Sequence, residues 1–276
     1  AMNQSSIKTA VIGHPIAHSK SPKIHNYWIE KYGLYGTYTA IDIPPKNLKQ
    51  AIQSLIDQGY KGFNVTVPHK IEIMALCDEI DDLAQKIGAV NTVNIQDGKL
   101  HGSNTDAYGF IQNIKENTKN WRFKDGGAVV LGAGGAANAV IYALLKEGVP
   151  SITITNRTRE KAEALVKLSS DKINVIDWDD RNAAFSDANL IVNTTALGMV
   201  NKPPLDVDIS DTPASALVTD IVYAPLMTDL LCQAKDNNLQ IVTGIGMLLH
   251  QARPGFKLWN GVLPDVTDDL VKLILK

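Results

Sequence analysis

The sequence predicts an α/β fold in two domains, each built around a mostly parallel sheet. Short apolar runs alternate with segments of helical periodicity along most of the 276 residues. Such alternation is typical of parallel strands joined by helices that cover the faces of the sheet. A glycine-rich loop beginning at Gly132 opens a second series of these units. A chain of this length can form two modest hydrophobic cores.

The first series of units supplies three predicted strands, at residues 9–13, 38–43 and 62–67. A helix is predicted between the last two from apolar residues at three- and four-residue spacing: Leu48, Ile52, Leu55 and Ile56. Residues 89–101 depart from this pattern, because T-V-N-I and L-H flank the dipeptide Asp97-Gly98. An Asp-Gly dipeptide between two strands predicts a β-hairpin.

The second series supplies five predicted strands, at residues 128–132, 152–155, 190–193, 216–221 and 240–243. A helix over residues 107–117 connects the two series, and a helix over residues 247–259 is expected to return to the first. We therefore assign residues 1–106 and 244–276 to one domain and residues 107–243 to the other. We expect a cleft between them.

The glycine-rich loop has the spacing G-x-G-x-x-G/A, with Gly132, Gly134 and Ala137 at the three positions. A predicted strand precedes it and a helix with Val140, Ile141, Leu144 and Leu145 follows. Small residues let the backbone turn sharply and approach a pyrophosphate at the helix N-terminus. In this context the loop predicts a Rossmann-type dinucleotide site. The alternative is a glycine-rich turn with a structural role alone.

The next strand ends in Asn156-Arg157-Thr158-Arg159, where many dinucleotide-binding chains have an acidic residue for the ribose. Guanidinium and hydroxyl donors without a carboxylate suit a 2′-phosphate, so the stretch predicts NADP. The alternative is a solvated basic helix start, which the helix macrodipole disfavours. Arg159 is expected to point away from the phosphate along the helix. The missing acid also argues against a methyltransferase that binds S-adenosylmethionine.

Polar, mostly uncharged side chains follow the predicted strands of the first domain: Ser19, Ser21, Asn64, Thr66, Asn91 and Asp106. They suit a small polyhydroxylated molecule. Because no arginine precedes position 122, a carboxylate on that molecule would be held by hydroxyls or lysine. Lys70 and Asp106 are placed to pass a proton during hydride transfer. The structural alternatives are serine and aspartate helix caps and a surface lysine.

Composition excludes several other classes of function. A net charge of −2 predicts neither nucleic-acid nor membrane binding. Cys77 and Cys232 are too few and too far apart for a disulfide framework. His14, His18 and His25 lack companion acids or cysteines, so no metal site is predicted. Glycines interrupt the one long uncharged stretch, residues 126–145, and we expect a soluble, cytoplasmic protein.

Nine motifs in one order along nearly the whole chain resemble those of the shikimate dehydrogenase family. They are P-I-A-H-S-K-S-P (15–22), N-V-T-V-P-H-K (64–70), G-A-V-N-T (88–92), N-T-D-A-Y-G (104–109), G-A-G-G-A-A (132–137), N-R-T (156–158), N-T-T-A-L-G-M (193–199), D-I-V-Y-A-P-L-M-T (220–228) and G-M-L-L-H-Q-A (246–252). The resemblance implies an NADP-dependent enzyme of aromatic amino-acid biosynthesis that reversibly reduces 3-dehydroshikimate to shikimate. It also implies an N-terminal substrate domain, a Rossmann-type NADP-binding domain and an active site in the cleft between them.

The resemblance assigns roles by motif match. Lys70 and Asp106 would be the catalytic pair. The substrate carboxylate would bind Ser19 and Ser21, and the ring would bind Asn64, Thr66, Asn91, Tyr223 and Gln251. NADP would bind Gly132, Gly134, Gly135, Ala136, Asn156, Arg157 and Thr158, with Thr194, Met199, Ile221, Gly244 and Met247 nearer the nicotinamide. His14 departs from the asparagine usual in the family.

Two alternative functions remain compatible with these motifs. The family includes quinate/shikimate dehydrogenases with relaxed cofactor use, although the serine pair and the missing ribose acid favour shikimate and NADP. A non-catalytic NADPH-binding regulator would lack Lys70 or Asp106, and both are present. Either a monomer or a homodimer is compatible with the sequence.

Overall fold

A computed structural model describes residues 5–276, which form two compact units. The first comprises the chain up to Thr105 together with Leu249–Lys276, and the second is Asp106–Leu248. Residues 244–248, which the sequence assigned to the first domain, belong instead to the second unit. Asn113 explains the difference. Its Nδ2 donates to Thr243 O over 2.9 Å, and its side chain packs so closely on Gly246 that a Cβ there would clash.

The described residues of the first unit form six strands, four complete α-helices and part of a fifth. The strands are β1 (Ile7–Gly13), β2 (Gly36–Asp42), β3 (Gly62–Val65), β4 (Glu79–Ile80), β5 (Thr92–Gln96) and β6 (Lys99–Ser103). The helices before the second unit are α1 (Ser21–Lys31), α2 (Leu48–Asp57) and α3 (Asp82–Ile87). The end of the chain adds the second part of α8 (Ile245–Asn260) and α9 (Asp268–Leu275).

The sheet of the first unit has the order β2-β1-β3-β5-β6-β4. β1 pairs in parallel with β2 and β3, whereas β5 is antiparallel to both β3 and β6. Residues Asp97 and Gly98 turn the hairpin with φ of +53° and +75°, as a two-residue turn of this chemistry requires. The hairpin prediction is therefore confirmed. α2 packs Leu48, Ile52 and Leu55 against the sheet in one buried cluster with Phe63.

The second unit contains six strands. They are β7 (Gly127–Leu131), β8 (Ile152–Asn156), β9 (Ile173–Asp177), β10 (Ala188–Asn193), β11 (Leu217–Asp220) and β12 (Gln240–Val242). Its helices are α4 (Asp106–Asn117), α5 (Gly135–Lys146), α6 (Arg159–Glu163), α7 (Asp229–Asp236) and the first turn of α8. Every strand pair in its sheet is parallel.

The strand order of the second sheet, β9-β8-β7-β10-β11-β12, is that of a doubly wound dinucleotide-binding fold. The direction in which successive strands are added to the sheet reverses between β7 and β10, so a crevice for ligands is expected beyond the carboxyl ends of these two strands. The prediction of an α/β fold with mostly parallel sheets is confirmed. Among the described residues, no helix is long and apolar enough to cross a membrane.

Candidate active site

The glycine-rich loop lies at the point where the strand order of the second sheet reverses. It follows β7, beside Thr194 at the end of β10, and both the amide and the hydroxyl of Thr194 donate to Leu131 O, over 2.8 and 2.7 Å. Gly132 has φ of +111°, and a Cβ there would lie 2.5 Å from Thr194 Oγ1. Glycine is therefore required at this position by both conformation and space.

Gly134 and Gly135, in contrast to Gly132, have open space around them. A Cβ at Gly134 or Gly135 would have no atom within 4 Å, so the backbone there is open to a ligand. Gly134 is the N-cap of α5, and no side chain caps the first turn. Unpaired N–H groups and the positive end of the helix dipole at this point suit a pyrophosphate. The residues present therefore fit a dinucleotide.

The Asn156-Arg157-Thr158 segment follows β8, the strand next to β7. Asn156 Nδ2 donates to Thr158 O over 2.9 Å, which holds the turn in shape. Arg157 and Thr158 are exposed. The Arg157 guanidinium lies 6.0 Å from the ring centroid of Trp178, and within residues 5–276 it forms no ion pair. Its charge is therefore available to an anionic ligand.

Arg159 lies two residues further on and is already engaged. Its Nε donates to Glu163 over 2.8 Å and its Nη1 donates to Asp177 over 2.7 Å. These two carboxylates offset the positive charge that Arg159 brings to the N-terminus of α6. The geometry agrees with the expectation that Arg159 points away from the phosphate.

The residues predicted near the nicotinamide follow the next strands of the second sheet. Ile221 N donates to Asn193 O over 3.1 Å, and a Cβ at Gly244 would lie 2.6 Å from Ile221 O. Thr194, Ile221 and Gly244 therefore belong to neighbouring loops at one edge. Met199 is exposed in the loop after β10, and Met247 is in the first turn of α8.

Asp220, at the end of β11, joins these loops and was not singled out by the sequence. It is buried, and its carboxylate accepts hydrogen bonds from Asn193 Nδ2 (3.0 Å), Val222 N (3.0 Å) and Thr228 Oγ1 (2.8 Å). Burial raises the pKa of the Asp220 carboxyl to about 6, against the opposing effect of these hydrogen bonds. Tyr223 follows directly in the same loop, and burial also raises the pKa of its phenol.

In the first unit, Ser19 and Ser21 lie at the start of α1. Lys20 occupies the N-cap position and Ser21 is the first helical residue, so Ser21 is not the cap that one alternative envisaged. Ser19 Oγ accepts a hydrogen bond from Ser21 N over 3.3 Å, which leaves the Ser19 hydroxyl proton for another acceptor. Both side chains are partly exposed.

Asn64 and Asn91 are brought together by one buried hydrogen-bond network. Asn64 Nδ2 donates to Asn91 O and to Thr92 Oγ1, each over 3.2 Å. Asn91 Oδ1 accepts from Thr105 N over 2.9 Å, and Thr105 Oγ1 donates to Gln251 O over 2.7 Å. Asn64, Asn91 and Gln251 are therefore linked by one hydrogen-bond network. Thr66 lies just beyond β3, with its methyl group packed on Gly13.

The segments that carry Lys70 and Asp106 are each hydrogen-bonded to the segment around Asn91. Lys70 follows β3, and its carbonyl accepts from Val90 N over 2.8 Å, beside the segment that carries Asn91. Asp106 is the first residue of α4 and directly follows Thr105, which Asn91 holds. Asp106 is thus within the first helical turn rather than before it, which differs from the predicted helix cap.

The remaining charged residues of the first unit serve other roles. The N-terminal part of the first unit has no arginine, but α8 contributes one to this unit, Arg253. Its buried guanidinium donates to Pro264 O over 2.6 Å and lies 3.2 Å from His250 Nδ1, so it does not replace the serines as a carboxylate ligand. His14 Nδ1 lies 3.0 Å from Asp42 Oδ2 in an exposed pair. No group of three metal-binding side chains occurs in the described part of the chain.

Comparisons with known proteins agree with this arrangement. Residues 11–93 match the family model described as shikimate dehydrogenase substrate binding domain, and residues 113–210 match that of shikimate / quinate 5-dehydrogenase. A shikimate dehydrogenase (NADP(+)) of Rhodospirillum rubrum is 48% identical over 270 residues, 96% of this chain and 95% of that protein.

Solved structures show the same similarity in three dimensions. Shikimate 5-dehydrogenase of Thermus thermophilus, solved with NADP(H) and shikimate, has a TM-score of 0.85 and 35% identity, covering 98% of each chain. Quinate dehydrogenase of Corynebacterium glutamicum, solved with NAD, has a TM-score of 0.89 and 30% identity, covering 99% of this chain and 98% of that one. The fold therefore does not by itself separate the two substrates or the two cofactors.

Proposed function

This chain belongs to the shikimate dehydrogenase family, and from that premise we propose that it reversibly reduces 3-dehydroshikimate to shikimate with NADPH. The observation that carries the proposal is Arg157, an exposed guanidinium without an ion pair among residues 5–276, at the end of β8. A ribose 2′-phosphate would supply the missing anion. In this proposal the first unit binds the substrate and the second binds NADP.

Residues of the second unit would hold the cofactor in three groups. Gly134, Gly135 and Ala136 would offer backbone N–H groups to the pyrophosphate, since no side chain caps this turn. Asn156, Arg157 and Thr158 would bind the adenosine end. Thr194, Met199, Ile221, Gly244 and Met247 would line the nicotinamide end, with Gly132 providing the close turn. When bound, NADPH supplies the hydride.

Residues of the first unit would select the substrate. Ser19 and Ser21 would donate hydroxyl protons to its carboxylate, because the arginine of this unit is buried against Pro264. Asn64, Thr66, Asn91 and Gln251 would contact the ring, and Tyr223 would contribute from the second unit. Uncharged amide and hydroxyl groups match the several hydroxyls of shikimate without placing a charge beside them.

Lys70 and Asp106 would handle the proton that accompanies hydride transfer. The carbonyl carbon of 3-dehydroshikimate gains a hydride, and its oxygen must gain a proton to become the hydroxyl of shikimate. A lysine and an aspartate within reach of that oxygen can exchange this proton. Asn91 supports the placement of Asp106, because its side chain holds Thr105 directly before Asp106.

The proposal is tested by initial rates at 340 nm with shikimate or quinate, each combined with NADP or NAD. We expect rapid reduction of NADP with shikimate and much slower rates in the other three combinations. Comparable rates with quinate or with NAD would support the broader quinate/shikimate activity instead. Tight NADPH binding without turnover of either substrate would contradict the proposal and support a regulatory role.

We further propose that the protein acts in the cytoplasm as a monomer or homodimer on small molecules alone. Cys77 and Cys232 are both free thiols, which suits a reducing compartment. Light scattering after gel filtration would give the mass in solution. A tetramer or larger assembly would contradict this part of the proposal.

A further inference from the structure

Tyr38 lies within the hydrogen-bond network of the first unit, although no motif in the sequence singled it out. Its side chain is 2% exposed. Its hydroxyl donates to Asn64 Oδ1 over 2.7 Å and lies near the side chain of Ser21. Because Ser21 and Asn64 are both proposed substrate contacts, Tyr38 connects the carboxylate end of the proposed site to its ring end.

Each hydrogen bond in this network has a defined donor and acceptor. Thr92 Oγ1 donates to Asn91 Oδ1 over 2.9 Å, so its oxygen is the acceptor for Asn64 Nδ2. This sets the orientation of the Asn64 amide, which turns its carbonyl oxygen towards Tyr38. A carbonyl oxygen can only accept, so Tyr38 must donate to it.

The orientation limits what Asn64 can offer a ligand. Both of its N–H groups are engaged, with Asn91 O and Thr92 Oγ1. Its carbonyl oxygen accepts from Tyr38 and has one acceptor position left. Asn64 therefore presents an acceptor alone, and the group that meets it must be a donor, such as a hydroxyl on the ring of the substrate.

Tyr38 itself is held firmly by α1. Asn26 bonds to both backbone groups of Tyr38, over 2.8 and 3.1 Å. His25 stacks on the phenol ring with centroids 4.0 Å apart and planes inclined by 12°. Burial lowers the pKa of the His25 imidazole to about 3, so the stacked ring is neutral at physiological pH. Burial raises the pKa of the Tyr38 phenol, so that it keeps the proton it donates.

We infer that Tyr38 is a positioning residue of the substrate site, which orients Asn64 to accept a hydrogen bond from a hydroxyl of the substrate. The inference rests on the proposed function, because shikimate is taken as the ligand. Without the phenol hydroxyl, the Asn64 amide loses the partner that fixes its carbonyl oxygen. Substrate binding then weakens, whereas cofactor binding and proton transfer do not change.

The test compares Tyr38→Phe with Tyr32→Phe. Tyr32 is a control from the same unit, because its hydroxyl also takes part in a hydrogen bond, accepting from Asp265 N over 3.0 Å, but lies in an exposed contact. Isothermal titration calorimetry without cofactor gives the Kd of shikimate, and steady-state rates give kcat and both KM values. For Tyr38→Phe we expect the Kd and KM of shikimate to rise about tenfold, the worth of one ordinary hydrogen bond. The kcat and the KM of NADP should match those of the parent, and Tyr32→Phe should leave all four constants unchanged.

A double-mutant cycle separates positioning from a loss of packing. If Tyr38 acts through Asn64, Tyr38→Phe should have little further effect on shikimate binding in an Asn64→Ala background. An equal effect in both backgrounds, or parent-like shikimate binding by Tyr38→Phe, would overturn the inference while leaving the proposed function intact. A parent that neither binds nor oxidises shikimate would overturn both.

A second variant covers the case in which Tyr38→Phe does not fold. Thr92→Val removes the hydroxyl that accepts from Asn64 Nδ2, on the other side of the same amide. It should raise the Kd of shikimate in the same selective way. Shikimate binding by Thr92→Val as tight as that of the parent would overturn the inference as well.

Discussion

Lys70 and Asp106 are the residues that we propose for the chemical step. Lys70→Ala and Asp106→Ala should each lower kcat by about two to four decades, the usual worth of general acid–base catalysis. The KM of shikimate should change far less, because neither residue is among the groups proposed to bind the ring or the carboxylate. Steady-state kinetics at 340 nm measures both constants.

Lys46→Ala is a suitable control, since Lys46 is an exposed lysine of the same unit. Its kcat should equal that of the parent. If both Lys70→Ala and Asp106→Ala kept a kcat near the parent value, the assignment of proton transfer to these residues would be wrong.

The positive charge after β8 could bind a phosphate or could pair with nearby carboxylates, and Arg157 and Arg159 differ in this respect. Arg157 has no ion pair among residues 5–276, whereas Arg159 is paired with Glu163 and Asp177. Arg157→Ala should therefore weaken NADP binding by about two decades, the range expected for losing a charge-assisted guanidinium contact. Binding of NAD should barely change, because NAD has no 2′-phosphate.

Arg159→Ala is the matched control and should preserve most of the preference for NADP. Kd values for both cofactors in the parent and the two variants measure the effect. High salt should reduce the preference, since Arg157 is exposed. A larger loss from Arg159→Ala than from Arg157→Ala would show that the phosphate site has been assigned to the wrong arginine.

At the scale of elements, the ends of β10 and β11 are joined through the buried carboxylate of Asp220. Its pKa rises from an ordinary 3.8 to about 6 because burial disfavours the charged form. The folded state therefore holds the proton more tightly than the unfolded state does. This stabilisation is fully present below about pH 3.8 and is lost as the pH rises through 6. The loss amounts to about 3 kcal/mol, at roughly 1.4 kcal/mol for each unit of pKa.

Urea unfolding of the parent and Asp220→Asn across this pH range tests the claim. Asparagine does not titrate, so the free energy of unfolding of the parent should fall relative to that of the variant as the pH rises. Other carboxylates contribute equally to both proteins and cancel in the difference. A difference that is constant with pH would contradict the raised pKa.

The β5–β6 hairpin shows how far local sequence determines structure in this chain. Asp97-Gly98 supplied the turn type, and the turn sets the register that pairs Gln96 with Lys99 and Thr92 with Ser103. Asn91 and Thr105, at the two open ends, are thereby close enough to bond. Here a two-residue signal accounts for part of the candidate site.

Other elements lacked such a signal. β4 has only two residues, and β9 is a five-residue strand at the edge of its sheet. Both were missed, whereas all eight predicted strands are present with ends shifted by at most two residues. Edge and very short strands depend on their neighbours more than on their own sequence.

At the scale of the whole molecule, the motifs predicted candidate site residues but not the hydrogen bonds that connect them. Asn64 was predicted from its position at a strand end, yet its orientation depends on Tyr38, which is 26 positions away in the sequence. Asp220 and Thr228 likewise meet only in the folded chain. Long-range hydrogen bonds of this kind leave no periodicity or spacing to detect. Residues 244–248 group with the second unit for the same kind of reason, because Gly246 packs closely against Asn113.

The central claim is that this chain converts 3-dehydroshikimate to shikimate with NADPH, and product identification tests it most directly. The parent protein is incubated with 3-dehydroshikimate and NADPH, the loss of absorbance at 340 nm is recorded, and the product is identified by proton NMR. We predict that shikimate forms in amounts equal to the NADPH consumed, and that Lys70→Ala forms almost none in the same time. The account would be contradicted if the parent formed no shikimate, or if NADPH were consumed without it.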